Sequence, residues 1–288
     1  MSKEITLCSI NNVLNGYCAE DCKFCTQSTR YDTDITKYKL KTVSQIVEEA
    51  HIAKSKGALG YCLVTSTKGL NKKIVSFISE AATAIKKEVD DIIIIACNGT
   101  AEVDQLKFLK DHGVDSYNHN LETSKAYYPN ICTTHPWDER FQTCLNVKEA
   151  GLMLCAGGVF GIGESVEDRE SLMTSILSLK PESVPLNFFI PNKDLPLTES
   201  NINKSQALEI IKKMRTGLGE MSLLMAAGGR EGLFTGSEKE MFDAGVNSIV
   251  IGDYLTTKGE NPDSDLDMLK ALNLTIATEC PDFSAMMG

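Results

Sequence analysis

The sequence predicts an α/β fold, a parallel (β/α)8 barrel of the TIM type, and three observations predict it. Short apolar runs recur along almost the whole chain, amphipathic stretches separate them, and the runs number eight. Short, strongly apolar strands separated by helices imply parallel pairing buried on both faces, and a count of eight implies a closed barrel rather than an open sheet. No linker, low-complexity tract or long charge run divides the chain, so residues 1–288 are expected to form one domain, a length ordinary for such a barrel.

The elements follow in order. Residues 5–10 make the first strand, and a cysteine-rich loop comes after it. In the segment 44–56, Ile46, Val47, Ala50 and Ala53 form an apolar stripe at helical spacing. Further strands are predicted at 59–64, 92–97, 116–120, 152–159, 183–190, 222–226 and 248–251. Pro136 suits the first turn of a helix running to Glu149, and Gly151 is its stop. A barrel of this kind carries its active site at the C-terminal ends of its strands. Cys62 lies near the end of the second strand, Cys97 ends the third, Asn118 and Asn120 end the fourth, Cys155 lies in the fifth and Asn187 in the sixth. Singly, each buried cysteine reads as a small core hydrophobe. Three together beside the cysteine loop favour a metal cluster inside the barrel.

Composition excludes several function classes. The net charge of −10 disfavours a nucleic-acid partner, which would call for a basic footprint. Met1-Ser2-Lys3-Glu4 lacks the apolar core of a signal peptide, and no apolar run approaches a membrane span. The expected compartment is the cytoplasm, where ten cysteines suggest metal chemistry or buried thiols rather than disulfides.

The loop after the first strand reads Tyr17-Cys18-Ala19-Glu20-Asp21-Cys22-Lys23-Phe24-Cys25, a C-x3-C-x2-C cluster. Soft thiolates at short spacing select iron–sulfur clusters or zinc. Three thiolates on a 4Fe–4S cube leave one iron open to chelate an amine and a carboxylate. A structural zinc site needs a fourth ligand, and no His or Cys follows Cys25 closely, the next histidine being His51. Three unrelated buried thiols are the remaining reading. Phe24 before the last cysteine resembles the radical S-adenosylmethionine (SAM) enzymes, in which the open iron binds SAM.

Longer stretches sharpen the resemblance. Cys18-Ala19-Glu20-Asp21-Cys22-Lys23-Phe24-Cys25-Thr26-Gln27-Ser28, Tyr117-Asn118-His119-Asn120-Leu121-Glu122-Thr123, Cys155-Ala156-Gly157-Gly158 and Glu182-Ser183-Val184-Pro185-Leu186-Asn187 resemble the biotin synthases, in order and over nearly the whole chain. The resemblance implies a radical SAM sulfurtransferase that converts dethiobiotin to biotin with sulfur from an auxiliary iron–sulfur cluster. It implies Cys18, Cys22 and Cys25 as 4Fe–4S ligands, and Cys62, Cys97 and Cys155 as auxiliary-cluster ligands. Asn120 and Asn187 match residues that bind the dethiobiotin ureido ring, since an amide both donates and accepts. Arg140 matches a residue contacting the SAM carboxylate, and Glu122 a ribose-binding acid that is Asp in the familiar form. Gly157 and Gly158 are expected to let the backbone approach SAM. The family also implies a flavodoxin- or ferredoxin-type electron donor and a homodimer. Cys8, Cys132, Cys144 and Cys280 are expected to be structural, and His119 a hydrogen-bonded structural residue.

One departure matters. The familiar enzymes complete an auxiliary 2Fe–2S cluster with an arginine on the seventh strand, and here that position is Met225. Arg230 aligns with a different arginine. A thioether is a poor ligand for ferric iron, so a four-iron auxiliary cluster on the three thiolates is preferred, its open iron suited to an extra sulfide, with 2Fe–2S as the alternative. The alternative functions are another barrel radical SAM enzyme, such as a carbon-skeleton mutase or a maturase, and a non-catalytic iron–sulfur carrier or scaffold.

Overall fold

Strand β1 (Glu4–Leu14) pairs with β2 (Gly60–Thr65) on one side and β9 (Ser248–Ile251) on the other, and that second pairing closes the sheet into a barrel. The computed structural model describes residues 4–254, 259 and 261–281. Between those edges run β3 (Ile93–Cys97), β4 (Ser116–Asn118), β5 (Met153–Cys155), β6 (Gly158–Phe160), β7 (Ser183–Phe188) and β8 (Leu223–Ala226). All pairings between these strands are parallel. A short β10 (Thr275–Ile276) adds to the start of β1. The predicted (β/α)8 barrel is therefore the observed fold.

The helices outside it are α1 (Val43–Ser55), α2 (Lys72–Glu88), α3 (Val103–Asp111), α4 (Trp137–Glu149), α5 (Val166–Ser178), α6 (Lys204–Leu218), α7 (Arg230–Phe234), α8 (Glu238–Ala244) and α9 (Pro262–Ala271). Their starts are written in the sequence. Thr42 and Gln45 form a reciprocal capping box on α1, as Ser165 with Asp168 do on α5 and Asn203 with Gln206 on α6. The predicted stripe Ile46, Val47, Ala50 and Ala53 is the buried face of α1. Pro136 caps α4 in extended conformation, and Gly151 beyond its end takes a positive φ of 71°.

The segment 152–159, read as one strand, is two. Register runs Cys155↔Ser183 and resumes at Gly158↔Leu186, with nothing between. The Ser183 carbonyl accepts from Ala156 N–H, whereas the carbonyls of Glu182 and Leu186 accept from Leu223 and Ala227 of the β8 stave. Odd residues of β7 thus face the fifth stave, and the next odd residue is Pro185, which has no N–H to give. The ladder lapses there, and β5 and β6 together serve as one stave.

Candidate active site

The cysteine loop leaves the C-terminal end of β1 and is fixed by its own backbone. Cys18 N–H donates to the Gln27 carbonyl at 3.2 Å, Thr29 N–H to the Cys18 carbonyl at 2.7 Å and Cys25 N–H to the Cys22 carbonyl at 3.0 Å. It is also docked on the segment before α4. Lys23 N–H donates to the Ile131 carbonyl at 2.9 Å, and the Asp21 carboxylate accepts from Thr133 N–H at 2.9 Å and Thr134 N–H at 3.2 Å. Burial works against the Asp21 carboxylate, yet the hydrogen bonds from Thr133 and Thr134 hold its pKa well below the usual range. Phe24, Cys25, Thr26 and Gln27 then line one end of a cavity of about 610 Å³ that runs down the barrel interior.

The docking segment brings residues that spacing alone missed. Cys132, expected to be structural, and His135, which lies outside the motifs, both stand beside the cysteine loop. Sγ of Cys22, Sγ of Cys132 and a His135 ring nitrogen all lie within 4.8 Å of one another. The contact to Cys22 is the first cause that lowers the Cys132 thiol to about 3, with His135 and Thr134 adding to it against burial. His135 Nε2 accepts from Arg140 at 3.2 Å and lies 2.7 Å from the Tyr128 hydroxyl, and its Nδ1–H donates to Glu20 at 2.5 Å. The absence of a histidine near Cys25 in sequence was thus no guide to its surroundings. The Cys132-x2-His135 spacing was the available signal.

Arg140 projects from the first turns of α4 toward this site. It is not the exposed helix arginine that its position suggests, for its side chain is 12% exposed and its partner Glu122 13%. It donates to Glu122 Oε1 at 2.8 Å and to the Asn120 carbonyl at 2.6 Å. Glu122 has a φ of 68°, a strained value for a residue with a Cβ. Its carbonyl accepts from Val159 N–H at 2.8 Å, which pins the backbone to β6. Burial raises the Glu122 carboxyl against the opposing pull of Arg140 and Asn120. Its second oxygen, Oε2, is buried with no hydrogen-bond partner among the described residues, as is Gln27 Oε1. Orphaned acceptors beside a cavity suit a polyhydroxylated, cationic ligand such as SAM.

The two asparagines line the cavity with part of their amides engaged. Asn120 lies just past the end of β4, and its Oδ1 accepts from Gly157 N–H at 3.0 Å. Asn187, in β7, accepts from Gly228 N–H at 3.0 Å and donates to the Gly158 carbonyl at 3.2 Å. The adjacent glycines have an internal reason to be glycine. A Cβ on Gly157 would strike the Pro185 carbonyl oxygen, and one on Gly158 would sit 2.8 Å from both the Glu122 carbonyl oxygen and Leu172. His119 is buried, its pKa lowered first by burial and then by Arg140. Its Nε2 has no partner among the described residues, contrary to the hydrogen bond expected of it.

Cys62, Cys97 and Cys155 all face the same cavity, with Met225. Cys62 is the third residue of β2, deeper than the rim position predicted, while Cys97 and Cys155 end their strands. The contact with Cys97 comes first, and burial second, in raising the Cys62 thiol well above its usual value. Converging soft donors in a largely apolar chamber fit an iron–sulfur cluster. Arg230 is elsewhere: it is buried at the start of α7 and pairs with Asp265 of α9 at 2.5 Å. Cys144 fits its structural expectation, its thiol donating to the His119 carbonyl at 3.2 Å.

Residues 12–176 match the radical SAM superfamily and residues 185–275 the biotin and thiamin synthesis associated domain. These define the class of the protein as a radical SAM barrel. A biotin synthase of Sulfurovum sp. (strain NBC37-1) is 60% identical over 96% of this chain and 98% of that protein. One from a Nitratiruptor species is 57% identical over 96% and 99%. The chain belongs to the biotin synthase family. Among solved structures, methylornithine synthase superposes with a TM-score of 0.79 at 18% identity, covering 95% of this chain and 84% of that one. The FeFe-hydrogenase maturase HydG from Carboxydothermus hydrogenoformans gives 0.80 at 16%, covering 94% and 67%. These two share the fold.

Proposed function

We propose that the chain, as a single barrel domain, inserts sulfur into dethiobiotin to form biotin. When bound, the 4Fe–4S cluster with SAM supplies a 5′-deoxyadenosyl radical, and the auxiliary cluster supplies sulfur. Cys18, Cys22 and Cys25 hold the first cluster by three irons. Arg140 has three of its guanidinium N–H groups engaged by Asn120, His135 and Glu122, which leaves two for the SAM carboxylate. Glu122 Oε2 accepts from a ribose hydroxyl. The backbone at Gly157 and Gly158 closes the wall beside SAM. Asn187 retains one N–H and one acceptor lone pair for the ureido ring, and Asn120, whose amide also pulls on the Glu122 carboxyl, has a further N–H to offer.

The observation that carries this reading is the alignment along one cavity of the cysteine loop, the two asparagines and the three inward thiols. Cys62, Cys97 and Cys155 hold the auxiliary cluster, which is of the four-iron type because a thioether stands at position 225. Its remaining iron takes a further ligand, for which sulfide is a chemically suitable occupant. The electron donor is of the flavodoxin or ferredoxin type, the enzyme works in the cytoplasm, and it pairs as a homodimer. Among the described residues no helix is long and apolar enough to cross a membrane.

The test is anaerobic turnover with SAM, a low-potential reductant and dethiobiotin. The expected products are 5′-deoxyadenosine, methionine and biotin. Cys22→Ala abolishes SAM cleavage, because an incomplete ligand set loses the cube or its open iron. Undiminished cleavage in that variant would sink the assignment. Failure of the reconstituted protein to bind SAM in calorimetry would instead favour a carrier or scaffold.

A further inference from the structure

Three thiolates cannot ligate all four irons of a cube, and the barrel register points to a fourth. In barrels of this kind the inward side chains of alternate staves form layers. Here Val250 pairs with Cys8, Cys8 with Gly60, Cys62 with Ile95, Asn118 with Cys155 and Pro185 with Met225. Following that register around the barrel puts Cys8, Ile95, Cys155 and Met225 in one layer. Cys62 stands in the next layer toward the substrate end, and Cys97 in the one beyond. Cys8 therefore lies across the barrel from Cys155 and just beneath Cys62.

Packing agrees with the register. Cys8 lines the central cavity and is 5% exposed, and it clusters with Met225, Ala227 and Val250. Its strand neighbour is Gly60, where a Cβ would stand 3.0 Å from Cys8 Sγ. Gly60 leaves that sulfur free space. The thiol approaches the Ser9 carbonyl at 4.0 Å, too long a contact to require it for the fold. Met225 beside it is a neutral thioether, whereas a cysteine supplies the anionic sulfur that iron–sulfur clusters take. Cys280 also reaches the cavity, but it follows β10, which pairs with the start of β1, whereas the cysteine loop follows the end of that strand.

We propose that Cys8 is the fourth protein ligand of the auxiliary cluster, so that β1, β2, β3 and β5 each contribute one thiolate. This rests on the reading that Cys62, Cys97 and Cys155 hold a four-iron cluster. In the resting enzyme the cube then has a protein sulfur at every corner, in place of the sulfide expected at an open iron.

The test uses the full chain with Cys18, Cys22 and Cys25 all changed to Ala, so that the auxiliary cluster is the only one carried. After anaerobic reconstitution this parent is expected to hold about four irons and to keep them through mild ferricyanide oxidation. Cys8→Ala in the parent is expected to drop to about three irons on the same oxidation, with the paramagnetic signal of a three-iron cluster. Cys280→Ala is expected to match the parent. Circular dichroism and melting temperature check that each variant is folded. If Cys8→Ala does not fold, Cys8→Ser decides: an alkoxide ligand retains the iron but shifts the reduced cluster's resonance. A folded Cys8→Ala, or failing that Cys8→Ser, whose iron content and spectra equal the parent's overturns the proposal and returns the fourth corner to an exogenous ligand such as sulfide. A parent with about two irons, or none, overturns the four-iron reading itself and this inference with it.

Discussion

Asn187 has one donor and one acceptor committed to backbone and one of each in reserve, which is the complement of a ureido group. Asn187→Ala should weaken dethiobiotin binding by about 1–3 kcal/mol, the cost of leaving a buried polar partner unmet. SAM binding should change far less, and calorimetry with each ligand separates the two. Equal losses would mean a damaged barrel. Asp21 governs the other end of the site by docking the cysteine loop on Thr133 and Thr134. Its folded pKa lies below the unfolded one, so its contribution is complete above about pH 4 and fades as pH falls toward the folded value. Iron-free protein should therefore become more open to proteolysis in this loop on acidification. Asp21→Asn should show that susceptibility at neutral pH and little further change below it.

The fifth stave sets the geometry between the two asparagines. Pro185 breaks its ladder, and Gly157 fills the gap by pressing against the Pro185 carbonyl, where Asn120 receives its N–H. Gly157→Ala should destabilise the fold by about 1–3 kcal/mol or more, as overpacking of rigid backbone does. Gly232→Ala, in α7 with no atom within 4 Å of the added methyl, should be neutral or slightly stabilising. Thermal melting of the two variants side by side is the measurement. A Gly157→Ala protein as stable as wild type would show that the β5–β6 junction yields.

Across the molecule, the barrel strings two sets of thiols along one axis with the asparagines between them. With a cube at each, anaerobically prepared protein should contain about eight irons per chain. About six, with a diamagnetic diferric component in the Mössbauer spectrum, would restore a 2Fe–2S auxiliary site. The net charge of −10 bears on partners, whereas the axis itself is lined mainly by apolar surface.

What the sequence determined by itself was the fold and the chemistry of the motifs. Apolar runs at barrel spacing are local, since each strand must be buried on both faces whatever its neighbours are. The C-x3-C-x2-C loop is equally local, because short spacing brings its thiols together. Tertiary structure alone decided three things. It brought Cys132 and His135 to Cys22 across more than a hundred residues, through the docking of one loop on another. It buried Arg140 against Glu122, which helical position could not foretell. It also turned Cys8 toward the same chamber as Cys62 and Cys155. Strand alternation says only that a side chain faces in or out; which inward residues share a layer depends on the stagger between staves, and that stagger exists only once the barrel has closed.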